Sequence, residues 1–292
     1  NLIALVYGLF ALASLFVIRR RLLGKVLFLT TSGLVIIWWL SLKPSGIGNW
    51  AADAAVLPRA TVVGNLVTVH NVRNTDYRTE DDYDVRYEDR TYDMSKLATA
   101  DLFISYWGPR LIAHTVLSFG FTDGQFLAFS VETRKKKGQE YSAVAGFFRQ
   151  YELIYVAADE RDLIRLRTNY RGENVYCYRL RTDLNRIRGV FLYYLKRINE
   201  LSSKPEFYNA LLHNCTTNIY IGVKSANPAA PFTLGVLLPG YLDRYLYTLH
   251  AKLHGDGLTY EQFRKRNSVN DAAKQADQDP AFSKIIRTGR GE

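Results

Sequence analysis

Two runs at the start of the chain are apolar at almost every position, and only after them does hydropathy begin to alternate. Residues 1–18 carry no charge; residues 26–42 repeat the pattern and contain Trp38-Trp39 near their end. At 1.5 Å rise per residue, each run is close to the length that crosses roughly 30 Å of hydrocarbon. The pattern predicts two transmembrane helices, about 1–18 and 26–42, forming a hairpin over residues 1–42. A cleavable signal would not be followed by Arg19-Arg20-Arg21 and a second uncharged run. The segment Arg19 to Lys25 concentrates positive charge and so belongs in the cytoplasm. Both ends of the hairpin, and the domain after Leu42, then face the other side, with Trp38 and Trp39 at the outer interface.

From Lys43 onward the periods shorten. Polar, turn-rich sequence runs to about Asp101, broken by a strand-like alternation over Thr61 to His70 with Gly64-Asn65 as a turn. Tyr77 to Tyr92 interleaves tyrosines with charges and reads as a solvated extension wrapped on the domain, or as the border of a ligand groove. Ile112 to Phe119 and Phe126 to Glu132 read as strands of a hairpin around Thr122-Asp123-Gly124. A helix is expected over Tyr141 to Gln150. Strands are expected over Tyr151 to Ala157, Ile164 to Arg167 and Val175 to Leu180. Val190 to Leu201 has Phe191, Leu195, Ile198 and Leu201 at helical spacing. A further helix starts at Cys215, and the tail from Gly240 is mostly helical. There are no repeats, so residues 43–292 are expected to form one α+β domain with an antiparallel sheet and packed helices.

The hairpin has a testable register. His114, Val116 and Ser118 share one face of the first strand; Thr115, Leu117 and Phe119 share the other. Centring the turn on Asp123 pairs Leu117 with Phe129 and Phe119 with Leu127. It also sets Glu132 opposite His114, about 5 Å away between Cβ atoms. Ser130 and Arg134 lie on the Glu132 face. A hydrogen bond from imidazole to carboxylate there would orient the ring.

Charge narrows the function classes. Of 38 Lys/Arg and 28 Asp/Glu, four basic residues fall in 1–42, leaving 34 basic against 28 acidic, only +6, over the rest. No dense basic stripe appears, so no nucleic-acid partner is expected. The histidines show no metal-ligand grouping: His250 and His254 are four apart, without the glutamate of the zinc-protease pattern. No metal or cofactor is expected. Two cysteines do not make a disulfide scaffold.

One of the two, Cys215, follows Asn214, a good N-cap residue. A helix starting there would stabilise a thiolate and could donate its first amides to an oxyanion, with Asn214 and Thr216 at hand. Cys215 as nucleophile, His114 as base and Glu132 as orienter make a catalytic set. His213 is set aside, because adjacent residues at a helix end diverge by roughly 100°. The bland alternative is a buried cysteine and a surface His–Glu pair.

The order of a strand His, a polar residue on the next strand and Asn-Cys at a helix start resembles the circularly permuted papain-like fold (NlpC-type peptidases and thiol acyltransferases). Glu132-Thr133-Arg134, Tyr141-Ser142, Phe147 to Leu153, Asp159 to Asp162 and Asn214 to Asn218 resemble the bacterial Lnb N-terminal periplasmic domain family. That resemblance implies a Gram-negative periplasmic domain on the inner membrane. It also implies transacylation of a lipoprotein or membrane lipid, with Cys215 as nucleophile and His114 as base. The expected activity is a cysteine acyltransferase passing the chain through a thioester. The alternative is a cysteine hydrolase (peptidase or amidase) of the cell envelope. Arg134-Lys135-Lys136-Lys137 is a solvated turn or a contact for lipid head groups, and Arg134 a substrate-binding candidate. The charges from Arg149 to Arg167 are expected to form ion-pair networks.

Overall fold

The computed structural model describes residues 2–16, 18, 20–254 and 256–288, in two units, Asn1–Pro44 and Ser45–Glu292. The first unit is a pair of helices, α1 (Leu2–Phe16) and α2 (Arg21–Ser41). They pack tightly: Tyr7 and Ser32 hydroxyls are 2.8 Å apart, and a Cβ on Gly24 would stand 2.0 Å from the Ser14 carbonyl oxygen. Among the described residues only α2 is long and apolar enough to cross a membrane; α1, at 15 residues, is shorter. The expected second helix therefore begins earlier than residue 26, because Arg21 and Lys25 join its first turns. Asn1 and Val17 of the expected first helix, and Arg19 of the charged segment, lie outside the described residues.

In the second unit the strands are β1 (Arg59–Val63), β2 (Leu66–Arg73), β3 (Asp76–Tyr77), β4 (Tyr83–Asp84), β5 (Tyr87–Asp93), β6 (Leu97–Tyr106), β7 (Ala113–Phe121), β8 (Phe126–Arg134), β9 (Glu152–Ala158) and β10 (Asn174–Arg179). One sheet runs β1-β2-β9-β8-β7-β6-β10, with β5 beside β2; β3 and β4 pair separately. It is mixed rather than wholly antiparallel, since β2 meets β9 in parallel at Arg73 and Ala158. Helices α3 (Leu184–Ser203), α4 (Cys215–Ala226), α5 (Leu234–Leu237), α6 (Leu242–His254), α7 (Tyr260–Asn267), α8 (Asn270–Ala276) and α9 (Phe282–Ile285) complete it.

The β7–β8 register is the one the alternation predicts: Leu117 pairs with Phe129 and Phe119 with Leu127. Gly124, at φ 88°, supplies the left-handed turn residue. Each face of the sheet then acquires its own core. On one, Leu117, Phe119, Phe129 and Val131 meet Phe191, Tyr194, Leu195 and Ile198 of α3 and Ile219 of α4. On the other, Val116, Ala128, Ile154 and Val156 meet Leu163, Ile164, Ala273 and Phe282. Helix α3 forms where its apolar positions recur at 3–4 spacing, and Asp183 caps it by accepting from the Arg186 amide.

Three expectations fail for physical reasons. Ile164 to Arg167 is not a strand but part of a π-helix, Arg161–Tyr170, which closes with Arg171 N–H donating to the Leu166 carbonyl. Its Ile-Arg-Leu-Arg alternation mimics a strand because all four residues are buried, the arginines by pairing. Tyr141 to Gln150 is no helix; a single 3₁₀ turn, Ala145–Phe147, stands there, and Arg149 at φ 56° breaks helical geometry. Tyr77 to Tyr92 is more than a solvated extension, because both end tyrosines are buried and Tyr87–Asp93 is sheet.

Candidate functional site

Helix α4 presents the thiol as expected. The Asn214 side chain accepts from the amides of Thr216 and Thr217, at 2.9 and 2.8 Å. Asn218 locks the same turn, donating to the Asn214 carbonyl at 2.8 Å and accepting from the Tyr155 hydroxyl at 2.8 Å. Cys215 is 7% exposed, among Tyr194, Tyr208 and Ile219. Its Sγ lies 3.8 Å from Thr216 Oγ1, which is 3.4 Å from Thr115 Oγ1 on β7. Tyr141 and Tyr208 complete its surroundings: burial first, then the neighbouring thiol, pushes both phenols above their ordinary pKa.

The cap corrects the oxyanion expectation. The Thr216 and Thr217 amides are already committed to the Asn214 side-chain oxygen, and Asn214 Nδ2 donates to the Ala210 carbonyl at 3.0 Å, so Asn214 serves as cap. The Thr216 hydroxyl and the Tyr141 and Tyr208 phenols remain near the sulfur.

His114 does not join this group. Thr115 faces α4, so its neighbour His114 projects from the opposite face of β7. There Nε2 is 2.7 Å from Ser130 Oγ, and Ser130 donates to Glu132 Oε1 at 2.7 Å. The direct His114–Glu132 separation is 3.9 Å, so Ser130 bridges a pair that the register placed face to face. A carboxylate only accepts, so the Ser130 proton goes to Glu132 and Nε2–H donates to Ser130. Burial, then the charge of Arg167, pushes the His114 pKa down to about 3, and the ring is neutral. Burial pushes the Glu132 carboxyl up, but Arg73 and Arg167 outweigh it and hold it below the usual carboxylate range. Arg167 Nη2 is 3.4 Å from Glu132, and Arg73 makes a fork to Asp162 at 2.7–3.1 Å. The structure thus unites His114, Ser130 and Glu132 and leaves Cys215 across the sheet, with no hydrogen bond between thiol and imidazole. The expected Cys–His contact is absent because the more apolar face of β7, not the His114 face, takes α3 and α4.

Arg134 is also structural. It is buried, donates to the carbonyls of Ala54 and Ala55 at 3.0 and 2.8 Å, and stacks 4.3 Å from the Trp50 ring. The Arg149-to-Arg167 charges include Arg165–Asp277 and Glu160–Arg287 pairs. Cys177 and Cys215 form no disulfide, and no metal-binding cluster occurs among the described residues.

On sequence grounds His213 is set aside, and nothing there signals a cavity beside α4. His213 precedes the cap in non-helical chain, where the helical divergence argument does not apply, and its Nδ1 is buried without a hydrogen-bond partner. An apolar cavity of about 340 Å³ flanks α4, lined by Leu117, Thr216, Ile219, Val223, Ile187 and Leu246 among others. Its lining comes from β6, β7, β10 and five helices, so sequence periodicity alone carries no sign of it.

No curated protein and no solved structure matches the chain. The model of the Lnb N-terminal periplasmic domain family matches residues 83–242, more than half of the chain and a span that holds His114, Ser130, Glu132 and Cys215. The chain belongs to the Lnb N-terminal periplasmic domain family.

Proposed function

We propose that this membrane-anchored periplasmic protein is a thiol acyltransferase. In this reading Cys215 takes a fatty-acyl chain from a lipid or lipoprotein ester and passes it to an amine or hydroxyl. One observation carries the reading: Thr216, in contact with the sulfur, lines an apolar cavity of a size that accepts small-molecule ligands. The Sγ–acyl bond forms as the ester C–O bond breaks, and the thiol proton leaves with the alcohol; the acceptor then reverses the exchange. His213, with its unpartnered Nδ1 next to the cap, is our candidate base. His114, held by Ser130 on the far face, is assigned no proton transfer with Cys215.

The alternative of a peptide or amide hydrolase calls for an open polar cleft, and the cavity beside Thr216 is apolar. A two-pass anchor with Arg20, Arg21 and Lys25 toward the cytoplasm belongs to the same proposal, supported by the packing of α1 on α2. So does the permuted papain-like relationship, supported by a cysteine-led helix on antiparallel strands. Lipid mass spectrometry on purified protein tests the central reading. Wild type should carry a covalently held fatty acid that Cys215→Ala lacks. Undiminished acyl transfer by Cys215→Ser would refute it.

A further inference from the structure

We propose that two loops beside Cys215 form a membrane-docking surface, which seats the thiol end of the domain on a bilayer containing anionic lipid. The first loop exposes Tyr141, Val144 (67%), Phe147 and Phe148; the second exposes Leu211 and Leu212 (61%). They are one surface: the Ala210 amide donates to the Gly146 carbonyl at 3.0 Å, and a Cβ on Gly146 would meet Ala210 Cβ at 3.3 Å. The loops are built to hold this shape. The Tyr151 hydroxyl accepts from the Ser142 amide at 2.8 Å and donates to the Glu140 carbonyl at 2.9 Å. Asn209 accepts from the amides of Leu211 and Leu212, both at 2.9 Å.

Water-facing protein surface does not gather large apolar side chains at two fixed loop tips without a partner. Three observations select the bilayer as that partner. The basic run Lys135-Lys136-Lys137 leads directly into the first loop, and an apolar tip beside lysines matches acyl chains beneath anionic head groups. The membrane-length helix α2 ends at Ser41 and the second unit begins at Ser45, so a short tether binds the domain to a membrane. Tyr141, part of the exposed first loop, and the buried Tyr208, which precedes the second, both neighbour the Cys215 thiol. Docking there would bring the sulfur to lipid-borne esters, which deepens the acyl-transfer reading but does not need it to be measured.

The test uses the full chain in nanodiscs containing anionic phospholipid brominated on its acyl chains. Phe147→Trp and Leu212→Trp should each gain a fluorescence component that bromine quenches, while Val63→Trp, on exposed β1, should not. Quenching should weaken when the lipid is wholly zwitterionic or when Lys136 and Lys137 are both changed to Glu. No more quenching at Phe147→Trp and Leu212→Trp than at Val63→Trp would overturn the proposal. A second arm uses Phe147→Asp with Leu212→Asp, both exposed sites. Acylation of Cys215 from a bilayer-held ester should slow by roughly tenfold, while a short-chain soluble ester should be affected by less than about twofold. Equal effects on the two esters would overturn docking. If wild type acylates with neither ester, the acyl-transfer reading fails, and the quenching arm still decides the docking.

Discussion

The two faces of the sheet differ in what holds them. On the α3–α4 face, Phe119, Phe129, Phe191, Tyr155 and Tyr194 interlock edge to face or tilted, at 5.0–6.4 Å between centroids. The thiol and the apolar cavity lie in this layer. On the opposite face, charges are buried in pairs: Arg73 with Asp162, Arg287 with Glu160, and the His114–Ser130–Glu132 relay beside Arg167. Alternate residues of β7 serve both, His114 one way and Thr115 the other. A period of two therefore separates an apolar compartment suited to an acyl chain from an ionic layer that fixes the sheet's geometry.

Changes that separate the faces should have separable effects. The largest belongs to the thiol: Cys215→Ala should lower acyl transfer by roughly a thousandfold or more, measured as turnover of an acyl ester, with the fold intact. Asp162→Ala strikes the ionic face. It strands Arg73, whose side chain is 4% exposed, and should cost about 3–5 kcal/mol in denaturant unfolding. Asn214→Ala removes a cap that accepts two amides and should cost about 1–2 kcal/mol.

A pH slope separates the faces in another way. The His114 pKa is about 3 in the fold and ~6.5 in the unfolded chain, so between those values the unfolded state binds the proton. Stability should fall as pH drops below about 6.5, and His114→Gln should flatten that slope. Glu132, held below its ordinary value, adds stability that is lost as pH falls through the carboxylate range, so the variant should keep a residual acid slope.

Local chemistry made much of this legible in the sequence. The β7–β8 register follows from alternation and one glycine turn, the α4 start from Asn214, and the core face of α3 from its apolar spacing. The π-helix was hidden because buried, paired arginines imitate the wet positions of a strand. The separation of His114 from Cys215 required knowing which face of β7 takes α4. A hint was present: Leu117, Phe119, Phe129 and Val131 make the more apolar face, and the apolar stripe of α3 carries α4 onto it. His114, Ser118, Ser130 and Glu132 mark the other face as one for polar partners.

The account stands on a thiol that works without the far-face histidine. Single-turnover acylation, followed by intact mass, addresses this in wild type, His114→Gln and Cys215→Ala. The account predicts an adduct on Cys215 in His114→Gln at a rate within about threefold of wild type, and none in Cys215→Ala. A folded His114→Gln protein that forms no adduct would contradict it.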